Sequence, residues 1–148
     1  MAAKRYPKPH KWYPKNPHKY VGDVDNIIAR SSWERKWMIW ADNNPAVERW
    51  ASEEIILDYI SPVDNRPHRY FTDFAAVIRN RDGVLNRYLI EIKPKIQTLP
   101  PKRGKRSQDK YIADLATYAV NQAKWAVAEQ YCKKNNMTFM VITEDHLL

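Results

Sequence analysis

Three side chains in the middle of the chain have the types and spacing for hydrolysis of a phosphodiester: Asp73, Glu91 and Lys93. Glu91 and Lys93 stand two apart beside the apolar run Tyr88-Leu89-Ile90, so on a strand they point the same way. Asp73 lies in Phe71-Thr72-Asp73-Phe74, ahead of a turn signal at Asn80-Arg81-Asp82-Gly83. With a loop of Arg81-Asp82-Gly83, residues equidistant from Asp82 face one another, and Asp73 falls opposite Glu91. A slip of one residue would weaken that pairing. In the favoured register two carboxylates converge on one hard cation, Mg²⁺ by its preference for oxygen ligands, with Mn²⁺ as a substitute. Such a cation neutralises phosphate charge and lowers the pKa of a bound water, while the lysine orients or deprotonates that water. The ordinary alternative is a solvated charged face, since Glu-x-Lys is frequent on exposed strands. Against it, both acids are embedded in aromatic and apolar runs, where a buried carboxylate without a partner is costly.

Four further positions carry two readings each. Glu34 has capping-box spacing from Ser31, and it is also a plausible third acid at the site. Gln122, seven residues after Leu115 and three before Trp125, is expected on the apolar stripe of a helix, as a satisfied core amide or as a contact to the site or a substrate phosphate that Lys124 shares. His68 and Arg69 are an exposed loop pair or a phosphate contact. The chain shows no zinc spacing of cysteine and histidine, no phosphate-binding glycine loop and no serine-nucleophile motif, which removes those enzyme classes.

The elements that must position these groups follow from periodicity and turn residues. A helix is expected from Ser31 or Ser32, with Trp33, Trp37, Met38 and Trp40 at helical intervals, ending near Asp42-Asn43-Asn44-Pro45. Ala46 to Ile60 reads as a short turn and then a strand around Ile55-Ile56-Leu57, followed by a polar turn over Ser61 to Arg66. The hairpin comes next, with strands of about His68 to Arg79 and Val84 to Lys93. Prolines and Gly104 break the following loop, Asp109 to about Asn135 shows helical spacing in Leu115, Tyr118, Trp125 and Cys132, and Thr138 to Ile142 reads as a final buried strand. This order predicts an α/β fold with a mixed central β-sheet flanked by helices.

Length and charge set the frame. The 148 residues suit one hydrophobic core. The sequence divides into an extended basic arm, rich in proline and aromatics, over residues 1–21 and a single domain over 22–148. No apolar run of about eighteen residues and no apolar leader is present, so a soluble protein of the cytoplasm with no membrane partner is expected. The single Cys132 excludes an internal disulfide. Of the net charge of +8, six cations and no acid fall in Met1 to Tyr20, and Lys102 to Lys110 holds five cations against Asp109. Excess charge in two segments around a near-neutral body suits phosphate contacts, and marks Lys102, Arg103, Lys105 and Arg106 with Arg69, Gln122 and Lys124 as candidate DNA-binding residues. The arm reads equally as a disordered tail or as a partner-bound segment whose cations grip phosphates and whose aromatics stack on bases.

Arg69-Tyr70-Phe71-Thr72-Asp73-Phe74 followed by Glu91-Ile92-Lys93 resembles the PD-(D/E)xK nuclease superfamily, in the variant form of the transposon-end endonuclease and small phage nucleases. Asn16-Pro17, Lys19-Tyr20-Val21-Gly22-Asp23, Arg30-Ser31-Ser32-Trp33-Glu34, Asn121-Gln122-Ala123-Lys124-Trp125 and Ile142-Thr143-Glu144 extend the resemblance to the family of head-completion nucleases of T-even-like tailed bacteriophages. The resemblance implies a restriction-endonuclease-like core, Asp73 and Glu91 as metal ligands, Lys93 as the residue that positions or deprotonates water, and Glu34 as a helix-borne acid of the metal site. The superfamily's usual proline before the aspartate is Thr72 here, which removes no ligand. By the same resemblance the substrate is double-stranded DNA, processed at the portal of a filled head before tail attachment, with the portal or other head-completion proteins as partners in the host cytoplasm and the virion. A structural head-closure or DNA-end-binding protein and the cutting subunit of a transposase complex are the competing readings. The intact set of Glu34, Asp73, Glu91 and Lys93 argues against the first, and the short length against the second.

Overall fold

The computed structural model describes residues 9–147. In chain order they form β1 (His10–Lys11), β2 (Ile28–Ala29), α1 (Ser32–Asn43), β3 (Val47–Ser52), β4 (Ile56–Ile60), β5 (Pro67–Phe71), β6 (Phe74–Arg79), β7 (Leu85–Ile92), α2 (Gln108–Lys134), β8 (Thr138–Ile142) and α3 (Glu144–Leu147), with short 3₁₀ turns between them. Among the described residues no helix is long and apolar enough to cross a membrane.

The turn after β6 sets the register of the centre. The Gly83 N–H donates to the Asn80 carbonyl at 3.0 Å and the Asn80 N–H to the Val84 carbonyl at 2.9 Å. Gly83 takes φ 81°, a region open to glycine at no steric cost. The loop is therefore Arg81-Asp82-Gly83, and β6 and β7 pair from Phe74 with Ile90 to Arg79 with Leu85, equidistant from Asp82 as expected. Around this hairpin the sheet runs β3-β6-β7-β8, antiparallel except for the parallel pair of β7 and β8. A parallel neighbour needs a long crossover, and α2 supplies it. The mixed α/β sheet is as predicted.

Alternation along the strands sends side chains to two cores. Phe74, Ala76, Ile90 and Ile92 meet Trp37, Met38 and Trp50 on the α1 side. Leu89 meets Trp125, Ala128 and Cys132 of α2 on the other side, together with Leu57, Tyr59 and Tyr70 of a separate two-stranded ribbon made by β4 and β5. Helices thus cover both faces of the sheet. In the first core Trp37 stacks on Phe74 with centroids 4.1 Å apart, and Tyr20 meets Trp50 edge-on at 4.7 Å.

Several expectations change. The strand expected from His68 to Arg79 is two strands in two sheets, divided at Thr72-Asp73. Val47–Ser52, expected as a turn, is a strand whose register shifts between Val47 and Arg49, a bulge that erases the period-two pattern. The last strand is not buried: β8 lies at the edge of the sheet, with Met140 39% exposed. The N-terminal segment is extended but docked from His10 onward. β1 pairs with β2, Trp12 packs near Trp50, and Tyr20 is in the core. Lys19, one of the six arm cations, is buried with its Nζ donating to the carbonyls of Ala41 at 2.6 Å, Asp42 at 3.1 Å and Asn44 at 2.8 Å. It caps the C-terminus of α1, where a cation also meets the negative end of the helix dipole, and is not free to meet a phosphate. Tyr6 and three more of the arm cations, Lys4, Arg5 and Lys8, lie outside the described residues.

Candidate active site

The break between β5 and β6 is held open by hydrogen bonds to the loop after β3. The Thr72 N–H and hydroxyl both donate to the Ile55 carbonyl, at 3.2 and 2.7 Å, and the Asp73 carbonyl accepts from the Glu53 N–H at 3.1 Å. A proline at position 72 would have neither donor, so Thr72 fixes the backbone here by bonding and not by ring closure. The seam presents the Asp73 side chain to β7, where Oδ2 accepts from the Ile92 N–H at 2.7 Å. Glu91, 5% exposed, lies opposite. The charge of Glu91 acts directly on Asp73.

Burial dominates the electrostatics. Desolvation and then the charge of Glu91 hold the Asp73 carboxyl well above the ordinary carboxylate range, with Glu34 adding to the rise and Lys93 opposing it. Desolvation also raises Glu91, against the Tyr70 hydrogen bond and the charges of Lys93 and Lys124. The Tyr70 hydroxyl donates to Glu91 Oε2 at 2.6 Å, and burial beside that carboxyl pushes its own pKa up, so it stays a donor. Lys124 reaches the same place from α2, its Nζ 5.5 Å from the Tyr70 ring centroid and 5.7 Å from that of Tyr59, within the range of a cation–π contact. Two hard carboxylates pressed together out of water, incompletely balanced by lysines, form a donor set that fits a divalent cation.

Glu34 stands at the start of α1, half-buried. Its N–H donates to Ser31 Oγ at 3.1 Å and the Ser31 hydroxyl reaches its Oε2 at 3.3 Å, which satisfies the capping role. Burial raises its pKa, with the Ser31 bond opposing. Its charge acts on Asp73, but among the described residues no three His, Cys, Asp or Glu side chains come together as a metal cage. Beside it Arg30 pairs with Glu53 at 2.5 Å, and Arg30 in turn feels Glu34 and Asp73.

The other candidates divide. Arg69 is exposed on β5 with its guanidinium 5.2 Å from the Phe71 ring centroid, and His68 pairs with Asp64 at 2.8 Å. Lys102, Arg103, Lys105 and Arg106 lie on the exposed connection into α2, where Arg106 is bonded to Asp114 and the Lys102 carbonyl. Gln122 is exposed, not directed inward, and lines a surface hollow with Trp125 and Phe139. The buried face of α2 runs Asn121, Trp125, Ala128 and Cys132, so the inward amide belongs to Asn121. Leu115, 39% exposed, is off that face, which is why counting from it misplaced Gln122.

Tyr70, Arg30, Glu53 and Asn121 were missed. Three residues before Asp73, Tyr70 would face away from it on an unbroken strand. The seam at Thr72 is what lets both side chains reach Glu91, and the sequence carries no local sign of it.

The TnsA-like endonuclease N terminal family model matches residues 44–144, a span that contains Asp73, Glu91 and Lys93 and begins after Glu34. The head completion nuclease of Enterobacteria phage T4 is 35% identical over 141 residues, covering 93% of this chain and 91% of that protein.

Proposed function

The chain belongs to the TnsA-like endonuclease family, and from that premise we propose that it hydrolyses DNA phosphodiester bonds by divalent-metal chemistry of the PD-(D/E)xK type, at a site made of Asp73, Glu91 and Lys93. The observation that carries the reading is the pair of buried carboxyls, each raised by desolvation, with Lys93 and Lys124 beside them. Such a pair is costly in an idle protein and useful around a cation.

Asp73 and Glu91 would hold the cation, with Mg²⁺ the expected ion and Mn²⁺ a substitute. When bound there it supplies Lewis-acid polarisation of a phosphate oxygen and a water of lowered pKa. The chain's own residues do the rest. The Ile92 N–H fixes Asp73 and the Tyr70 hydroxyl fixes Glu91, so neither carboxylate must reorganise. Lys93 orients the attacking water or takes its proton, and Lys124 offsets phosphate charge from α2. Glu34 is the helix-borne acid whose charge adds to the pull of the site on a cation.

By similarity to the head completion nuclease of phage T4, the substrate is assigned as double-stranded DNA and the setting as phage head completion, with DNA ends processed before the tail attaches. The portal and other head-completion proteins are the partners this role requires, in the host cytoplasm and the virion.

The test is digestion of linear and supercoiled plasmid by the wild-type protein in Mg²⁺ and in EDTA, and by folded Asp73→Ala and Lys93→Ala variants. Cutting that needs the metal and is lost in both variants is expected. Cutting that persists in EDTA, or in either variant, would overturn the assignment, and a folded wild-type protein that binds DNA without cutting would point to an end-binding role.

A further inference from the structure

Beside the proposed cutting site lies a cavity of about 570 Å³ between the connection that follows Lys93 and the first half of α2. Its walls include Ile96, Leu99 and Tyr118, its buried edge is Asn121, and Lys102 and Arg106 stand among the lining residues. Its size is that of a small-molecule site, apolar side chains and the Tyr118 ring suit a nucleobase, and lysine and arginine suit a phosphate attached to it. Two details point to an occupant. Asn121 is 4% exposed, and its Nδ2 has no hydrogen-bond partner among the described residues. A buried amide left unpaired costs stability, and a turn of the Asn121 side chain would bring to the cavity a group that reads a base edge through paired donor and acceptor. Arg106 is paired with Asp114, which leaves Lys102 to supply the uncompensated charge for a phosphate.

Position relates the cavity to the reaction. Pro94 and the 3₁₀ turn Lys95–Thr98 carry the chain straight from Lys93 into its wall, and Asn121 is one helical turn ahead of Lys124, whose charge acts on Glu91. We propose that this cavity receives one unpaired nucleotide at a DNA end, its base held by Asn121 between apolar walls and its phosphate by Lys102. The proposal deepens the nuclease reading and rests on it for the identity of the polymer. It makes the protein a reader of frayed or overhanging ends, since a paired base would first have to leave its stack.

The test is equilibrium binding in EDTA, so that nothing is cut, of a labelled duplex ending in one unpaired nucleotide against the same duplex ending in an abasic residue. Wild-type protein is expected to favour the base-bearing end by about tenfold, the size of one net hydrogen bond. Asn121→Leu removes the amide at similar volume, and Thr117→Trp, at an exposed helix position on the cavity lining, fills the space from outside. Both, shown folded by thermal melting, should bind the two ends alike. A wild-type protein indifferent to the base, or a preference that survives in both variants, would overturn the proposal. Because no cleavage is read, loss of this preference and failure of plasmid cutting are separate results.

Discussion

Tyr70→Phe isolates the smallest part of the site, a single hydroxyl. Tyr70 is 3% exposed, and its oxygen lies 2.6 Å from Glu91 Oε2. The substitution leaves the ring in its core with Leu57, Leu89 and Trp125, and leaves the face under Lys124 intact. What disappears is one hydrogen bond to a carboxylate in a buried place, worth about 1.5–3 kcal/mol when the acceptor is charged. At 1.4 kcal/mol for each factor of ten, that is about a ten- to hundredfold loss of affinity for a cation held by Glu91. The expected readout is a rise of that size in the Mg²⁺ concentration that half-saturates plasmid cleavage, with the rate at saturating metal largely restored. The pH profile should move as well. The hydroxyl lowers the pKa of Glu91, so its loss raises it further, and the acid limb of the cleavage profile shifts towards higher pH. An unchanged Mg²⁺ requirement in a variant that melts like the wild type would refute the claim that Tyr70 sets Glu91 for metal binding.

Other expectations concern protons and charge. Asp73 and Glu91 are raised by burial, so the native state keeps protons that the unfolded chain releases in the ordinary range near pH 4. Their contribution to metal-free stability is therefore complete below that range and is lost as pH rises through the native values. Asp73→Asn should gain on the wild type with rising pH in urea melts run in EDTA, and a difference that stays constant with pH would count against the buried pair. Deleting residues 1–8 removes Lys4, Arg5 and Lys8, and with about 0.9 of slope per phosphate contact should flatten the salt dependence of DNA binding by up to about 3 while cutting survives. Deletion through Tyr20 should instead unfold the protein, since Lys19 and Tyr20 are buried; a folded product would refute that.

What could be read in the sequence was whatever is local. The hairpin register followed from one turn, because Asn80 and Gly83 dictate a loop type and the loop dictates every pairing behind it. The start of α1 followed from Ser31, whose Oγ accepts from the Glu34 N–H as an N-cap should, while the Glu34 carboxylate meets the Ser31 hydroxyl instead of its backbone N–H. The long helix and the last strand were visible in their periodicity, but the burial of β8 was not, because edge position depends on which strand lies beside it. Gln122 went wrong for a related reason: the phase of α2 was set from Leu115, and that end of the helix carries no core contact to fix it. Tyr70 and Arg30 were out of reach altogether. Each acts on the site through a residue distant in sequence, Glu91 or Glu53, and such a pairing leaves no local pattern.

The seam at Thr72-Asp73 gives the site a mechanical character. Glu91 belongs to the four-stranded sheet, the Tyr70 that holds it belongs to the β4–β5 ribbon, and Asp73 sits at the hinge line between the two. β7 carries Glu91 and holds Asp73 through the Ile92 N–H, while the ribbon holds Glu91 through the Tyr70 hydroxyl. A load that tilts the ribbon, whose Arg69 and Phe71 are exposed, would be transmitted by Tyr70 directly to one carboxylate and by the backbone to the other. About three residues of chain, Tyr70 to Asp73, thus join the part of the ribbon that touches one carboxylate to the other carboxylate.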